Sequence, residues 1–453
     1  MGGCSALFYD SDNQNTLFSR ISLSDKQLKT AREGRDALLG FVKPKLSEVF
    51  DVEVKHWIQG SLKNHTLIRP TSKFEEFDID VGLYLIGEGD ESGIDAVDIK
   101  SDLHDAIVDY CQFDSNARVP EEVKERCERV VFSGDFHIDM PMYYFNSQND
   151  TVVLATENGW EHSDPKGFQD WFDNSVGVSQ RPIVRRIIKY LKAWASLKAN
   201  SSLAKPLSSM ALTILVVEFI ELIGSSDDES DFAAAAQKIV NCILESESVI
   251  NPLTGSDILS FSKADIDYWR PHLLELEEVS NSAMRIEDAF ASFYLWERIF
   301  GHMLPPINEA AIAGGKTGLP AVTSPALTEV RHYDSKGILL SSEVTSSVIC
   351  YKNESLSFRV FNFNEYHPDA SITWIVRNQG GDAADSNDLG HNTPLSISEE
   401  ISRNCAYTGV HYMDATVVYR GQVLGIGKVK VNIQPYNRPV KNPIRRRIYK
   451  GGR

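Results

Sequence analysis

The chain lacks any apolar run approaching the roughly 18 residues that a bilayer-spanning helix needs, so no membrane span is expected. Its first residues show no basic segment followed by an apolar one, which leaves no secretory signal and points to the cytoplasm. MGGCSA has Ala6 where an N-myristoylation signal needs Ser or Thr. Cysteine is scarce. The six residues at 4, 111, 127, 242, 350 and 405 form no C-x-x-C pair and have no histidine at zinc-ligand spacing, so they read as reduced thiols. Positive charge is also short, with 46 Lys and Arg against 63 Asp and Glu and a net charge of −17. A protein that tracks long DNA or RNA normally carries a basic field, so an extended nucleic acid is not an expected partner. Mononucleotides remain open, since metals and a few local cations can handle their phosphates. No internal repeat is present. Gly315-Lys316-Thr317 imitates the end of a phosphate loop, but Ala310 stands where its first Gly is required and no strand precedes it.

At 453 residues the chain exceeds one ordinary core, and two or three domains are expected. The stretch QGSLKNHTLIRPTSKFEEFDID at 59–80 holds the chemistry. In a strand the side-chain period is two, so Asp78 and Asp80 project from one face roughly 7 Å apart along the chain. Such a pair can share two divalent cations. Gly60 lets the backbone approach a ligand, and Ser61 adds a hydroxyl and neighbouring amides at the start of a helix, which suits a triphosphate. Further on, VVFSGDFHIDMPMYYF at 130–145 reads as an apolar strand broken at Ser133-Gly134, with Asp139 inside its second half. A charge there is costly unless compensated, and metal coordination would compensate it. Three carboxylates of this kind are what two-metal phosphoryl transfer uses.

QGS, then Thr66, Ile68 and Pro70, then FDIDVGLYL and HID together resemble the active-site signature of polymerase-β-type nucleotidyltransferases. Within them the likeness is greatest to the bacterial cGAS/DncV-like enzymes (CD-NTases, the SMODS family), and it covers roughly residues 20–305. The resemblance implies Asp78, Asp80 and Asp139 as ligands of two Mg²⁺, with Mn²⁺ as a substitute, and Gly60 and Ser61 as triphosphate binders. It further implies ATP, GTP or pyrimidine triphosphates as substrates. The product would be a cyclic di- or trinucleotide that acts on a separate effector in antiphage (CBASS) signalling.

The expected fold is α+β, a nucleotidyltransferase lobe and a helical lobe followed by an all-β sandwich. The first lobe spans 1–175. It includes an amphipathic helix at 24–43 opened by the capping pair Ser24 and Gln27, a strand at 50–58, a helix within 90–114 and a charged helix or turn at 119–129. The second spans 176–304, with helices at 181–199, 207–223, 231–244 and 283–301. On the first of these, Val184, Ile187, Ile188, Leu191 and Ala195 make a buried stripe, while Arg185, Lys189 and Lys192 line an opposite face. By resemblance Lys189 or Lys192 reaches nucleotide phosphate, a solvated face being the other reading. Ser209 matches a serine that contacts nucleotide, and Met210 replaces the usual aromatic.

Residues 305–325 have the composition of a linker, and 436–453 form a basic tail without an acid. Between them the period becomes two, as in Leu356, Phe358 and Val360 or Ile372, Trp374 and Val376, and 416–433 reads as a hairpin. WIVRNQGGDA, DLGHN and YTGVHYMDATVVYRG resemble the adenylyl/guanylyl-cyclase and SMODS C-terminal sensor domain, which implies ligand sensing, with Trp374, Asn378 and His411 as candidate contacts. Cys350, Trp374 and Cys405 distantly resemble an immunoglobulin disulfide, but no bridge is expected. Two other functions remain open: transfer of a nucleotide to a protein, drug or RNA end, and a catalytically idle nucleotide sensor.

Overall fold

A computed structural model gives the structure, and it describes residues 3–307 and 325–435 apart from 14, 90, 123, 134, 135, 200, 201, 225, 287 and 421. Gly134 in the expected strand break, Gly315-Lys316-Thr317, most of the linker and the basic tail lie outside these residues. The chain forms two units, Met1–Leu319 with Ala384–Asp388, and Pro320–Ala383 with Leu389–Arg453.

The first unit begins with two short helices, α1 (Ser5–Phe8) and α2 (Leu17–Ile21), and a long one, α3 (Asp25–Phe50). Ser24 caps α3 by accepting from the Gln27 amide while the Gln27 side chain accepts from Ser24. This helix outlasts the expected 24–43 because Pro44 does not stop it. The carbonyl that Pro44 leaves unbonded belongs to exposed Gly40, where water can serve it, and the buried face of Leu38, Val42 and Leu46 runs on across the proline.

Next come β1 (Val54–Ile58), α4 (Gly60–Lys63), β2 (Phe77–Gly87), α5 (Ala96–Phe113), β3 (Ala117–Arg118), β4 (Glu128–Phe132), β5 (Phe136–Met140), β6 (Met142–Asn146), β7 (Thr151–Thr156) and β8 (Gly159–His162). They form one mixed sheet in the order β3-β4-β5-β2-β6-β7-β8, with β1 antiparallel along β2. Both halves of β2 pair in parallel, first with β5 and then with β6, and in one register. The expected helix or turn at 119–129 has no helix among its described residues; the chain is irregular there and then enters β4. α3 and α5 cover one face of the sheet, and Leu38, Val42, Ile79, Leu83, Ile99 and Leu103 share a core.

The helical lobe comprises α6 (Pro165–Ser175), α7 (Arg181–Lys198), α8 (Ser209–Glu218), α9 (Asp228–Ser246), α10 (Lys263–Ala283) and α11 (Ala289–Phe300). The expected helix at 207–223 is shorter, ending in a 3-10 turn at Ile220–Leu222. The one expected at 283–301 starts later, at Ala289. Before it lies α10, which the sequence reading did not place. Its stripe of Ile266, Trp269, Leu273, Leu276 and Val279 was legible, but Pro271 inside it argues against a helix. As at Pro44, the residue whose carbonyl is freed, Asp267, is exposed. Trp194, Trp269 and Trp296 are fully buried in this lobe, each contributing roughly 2–3 kcal/mol of transfer free energy.

The second unit is a β-sandwich. One sheet has β9 (Thr328–Tyr333), β10 (Leu339–Val344), β12 (Ser355–Val360) and β15 (Ile401–Asn404), and the other β11 (Ser347–Tyr351), β13 (Ser371–Arg377), β14 (Gly390–Ser396), β16 (Gly409–Tyr419) and β17 (Gln422–Gln434). Val330, Phe358, Trp374 and Val417 from the two sheets share one core. Trp374 is fully buried in that core, and His411 is buried with Nε2 2.9 Å from the Tyr407 carbonyl. Cys350 and Cys405 form no disulfide, and their sulfurs lie 3.2 Å apart.

Candidate active site

Along β2, Phe77, Ile79 and Val81 face the core under α3 and α5, so alternation turns Asp78 and Asp80 to the opposite face. β5 runs beside β2 with Asp78 opposite His137 and Asp80 opposite Asp139. β4 then sets Arg129 opposite Asp139. The three carboxylates expected from sequence thus meet on one sheet face, together with an imidazole and a guanidinium.

The turn after β1 lies on the same strand. The Gln59 amide donates to the Asp80 carbonyl at 3.0 Å, and Tyr143 Oη donates to Gln59 Oε1 at 3.2 Å. Gly60 has φ +59°, and a Cβ there would stand 1.9 Å from Asp80 Oδ2. Only glycine fits such a left-handed residue against a carboxylate. Gly82 makes the matching gap on β2, where a Cβ would stand 1.7 Å from Gln59 Nε2.

Each carboxylate is held differently. Burial pushes Asp80 up to about 7, and the charges of Asp78 and Asp139 add to this. Asp139 accepts from Arg129 Nε at 2.6 Å and from Nη2 at 2.7 Å. Asp78 Oδ1 lies 3.3 Å from His137 Nε2 but has no hydrogen-bond partner although the atom is buried. His137 Nδ1 lies 3.2 Å from Glu76 Oε2. Burial disfavours its charge, yet contact with Asp78 outweighs that and raises its pKa. The sequence reading did not single out His137, although its spacing of two from Asp139 put it on the same face.

Ligand atoms of Asp78, His137 and Asp139 lie within 4.8 Å of one another. A cluster of carboxylate oxygens with an orphaned, buried Asp78 Oδ1 fits a hard divalent cation.

Above this face is a cleft of about 970 Å³, lined by Gly60, Ser61, Asp78 and Asp80, by Ser209, Met210 and Thr213 of α8, and by the turn from Asn251 to Ile258. A smaller recess of about 360 Å³ shares Ser61, Asp78 and Ser209 and is also lined by Lys192. Lys192 Nζ donates to the Thr66 carbonyl at 2.9 Å, and burial pushes it down to about 8. Its burial departs from a simple two-faced helix. α7 is covered on more than one side, and Tyr190, Lys192, Ala193 and Trp194 are buried along with the apolar stripe. Lys189 lines neither cavity. Its Nζ donates to Ser22 Oγ at 3.2 Å, 4.9 Å from the Phe18 ring centroid, and burial pushes it down to about 8 as well.

A twisted mixed sheet with three carboxylates on adjacent parallel strands, a Gly-Ser turn above them and a helical lobe across the cleft is the architecture of a polymerase-β-like nucleotidyltransferase. Residues 54–143 match the family described as "Cyclic GMP-AMP synthase DncV-like, nucleotidyltransferase domain", and 326–434 match the "Adenylyl/Guanylyl and SMODS C-terminal sensor domain". A cyclic GMP-AMP synthase of Escherichia albertii is 34% identical over 435 residues, covering 95% of this chain and 96% of that protein. A c-di-GMP synthase of Roseivirga ehrenbergii is 24% identical over 216 residues, 42% of this chain and 55% of that protein. Among solved structures, the Vibrio cholerae DncV cyclic AMP-GMP synthase with a linear pppA(3′,5′)pG intermediate shares the fold, with TM-score 0.56 and 17% identity over 67% of this chain and 97% of that one. Escherichia coli DncV bound to 3′-deoxy GTP gives TM-score 0.53 at 20% identity over 67% and 98%. The chain belongs to the DncV-like nucleotidyltransferases and is an enzyme of that class, whose fold implies use of a divalent metal. No described helix is long and apolar enough to cross a membrane.

Proposed function

We propose that the protein joins nucleoside triphosphates into a cyclic di- or trinucleotide. The observation that carries this reading is the register that sets Asp139 opposite Asp80, with Asp78 two residues away and the Gly60 turn pressed against them. Full-length similarity to the Escherichia albertii synthase supports a cyclic product, and a Vibrio cholerae relative that holds both ATP and GTP supports those substrates.

In this reading Gly60 and Ser61 hold the triphosphate of one nucleotide in the larger cleft. A ribose hydroxyl of a second nucleotide attacks its α-phosphorus, and each new bond releases one pyrophosphate and one proton. Asp78, Asp80 and Asp139 would hold two Mg²⁺, or Mn²⁺ in their place, which would lower the pKa of the hydroxyl and offset charge on the leaving pyrophosphate. Ser209 contacts nucleotide from the helical lobe. Of the two α7 lysines, Lys192 lines a recess, and it steadies the chain after the Gly-Ser turn through the Thr66 carbonyl. The product acts in the cytoplasm on a separate effector, in antiphage signalling of the CBASS type.

The test is incubation with four ribonucleoside triphosphates and Mg²⁺ or Mn²⁺, phosphatase treatment and mass spectrometry, beside the double variant Asp78→Asn/Asp80→Asn. A phosphatase-resistant cyclic oligonucleotide from the wild type alone is expected. Equal product from the folded double variant, or only linear or macromolecule-linked product from the wild type, overturns the reading.

A further inference from the structure

Asp139 differs from its two companions in already having a cationic partner on both oxygens. Arg129 stands across from it in the antiparallel ladder, and its Nε and Nη2 reach Oδ1 and Oδ2 at 2.6 and 2.7 Å. The side chains of Arg129 and Asp139 are only 23% and 13% exposed, so this is no loosely solvated surface pair. A bidentate guanidinium does two things to a carboxylate. It locks the plane and rotamer, and it takes one lone pair from each oxygen while leaving another on each free. It also sets a fixed positive charge beside the space where a cation held by Asp78 and Asp139 would sit, and like charges repel.

Asp78 is arranged otherwise. Its Oδ1 has no arginine clamp, and the nearest basic group is His137 Nε2 at 3.3 Å, outside hydrogen-bond geometry. The cluster is therefore asymmetric. One side neighbours an imidazole, and the other is oriented and electrostatically guarded by a guanidinium.

We propose that Arg129 is a positioning residue that orients Asp139 and keeps the metal at that carboxylate weakly bound until a nucleotide triphosphate is in place. The triphosphate brings enough negative charge to offset the guanidinium, so the cation enters with the substrate and not ahead of it. This rests on the two-metal reading above, and it concerns the order in which the site fills.

The experiment measures Mn²⁺ binding to the full chain by electron paramagnetic resonance, with and without a non-hydrolysable nucleoside triphosphate, for the wild type, Arg129→Gln and Arg129→Lys. In Arg129→Gln, nucleotide-free Mn²⁺ affinity should rise about tenfold and the gain on adding nucleotide should shrink, while kcat falls about 10- to 100-fold with KM changed far less. Arg129→Lys keeps the charge but not the fork. It should bind Mn²⁺ nearly as the wild type does and recover only part of kcat. Unchanged or weaker nucleotide-free affinity in a folded Arg129→Gln protein overturns the proposal and leaves Arg129 as a sheet contact. If that variant does not fold, Arg129→Lys decides: reduced kcat at unchanged Mn²⁺ affinity supports the orienting role, and unchanged kcat overturns it. A wild type that binds no Mn²⁺ with or without nucleotide overturns the metal reading itself, a result distinct from either Arg129 outcome.

Discussion

Asp80 carries an electrostatic cost, because burial and two neighbouring carboxylates all oppose its ionisation. Its folded pKa of about 7 lies above the unfolded value near 3.9. Its stabilising contribution is therefore fully present below about pH 4 and lost as pH rises through about 7. In chelator at pH 8, Asp80→Asn should be more stable than the wild type by about 2 kcal/mol, less than the full shift implies because cleft water screens the charges, and the gap should close towards pH 5. Calorimetric melting at the two pH values checks this, and equal stability at pH 8 would contradict it. The two lysines follow the opposite sign. Burial lowers both to about 8, so each costs stability as pH falls through that value. Lys189→Met should stabilise the protein at pH 7 by about 1 kcal/mol without altering nucleotide affinity, whereas Lys192→Met should weaken nucleotide binding by about tenfold. Titration calorimetry with a non-hydrolysable triphosphate separates them, and equal losses would refute the division.

At the scale of elements, the site is a turn lying on a strand. Gly60→Ala forces a side chain into a left-handed residue, at about 1–2 kcal/mol, and drives its Cβ into Asp80. Activity should fall by at least about 100-fold while circular dichroism stays unchanged, because the clash displaces the Asp80 carboxylate and not the core. Retained activity would mean that the turn does not carry triphosphate. The Gly-Ser turn and the Asp-x-Asp alternation were legible because both are local: one is a φ requirement and the other a period of two. His137 and Arg129 gain their meaning from pairing with β2 and β5, which their own neighbours in sequence do not reveal. The helices show the same limit. α10 was missed and α3 cut short at internal prolines, whose cost depends on whether water reaches the freed carbonyl, a property of the packed molecule.

For the whole molecule, a net charge of −17 is compatible with anionic substrates because, in the proposed reading, phosphates are met within one cleft. The division into two units predicts that a chain ending at Leu319 still binds Mn²⁺ and triphosphate. It should melt lower than the full protein, since the cut also removes Ala384–Asp388, which belongs to the first unit. A truncated chain that stays folded yet loses both ligands would show that the sandwich completes the nucleotide site.

Sequence by itself determined the residue types and their short spacings: a glycine and serine before a turn, two carboxylates on one strand face, a third in an apolar strand, and a change of period from helical to two beyond the linker. These follow from backbone geometry and side-chain periodicity, which act over a few residues. Only the tertiary structure decided that Asp139 lies beside Asp80, that Arg129 clamps it, that His137 meets Asp78, and that Lys192 and not Lys189 lines a recess. Strand register and the burial of α7 on several sides arise from contacts between segments far apart in the chain, and no local pattern encodes them.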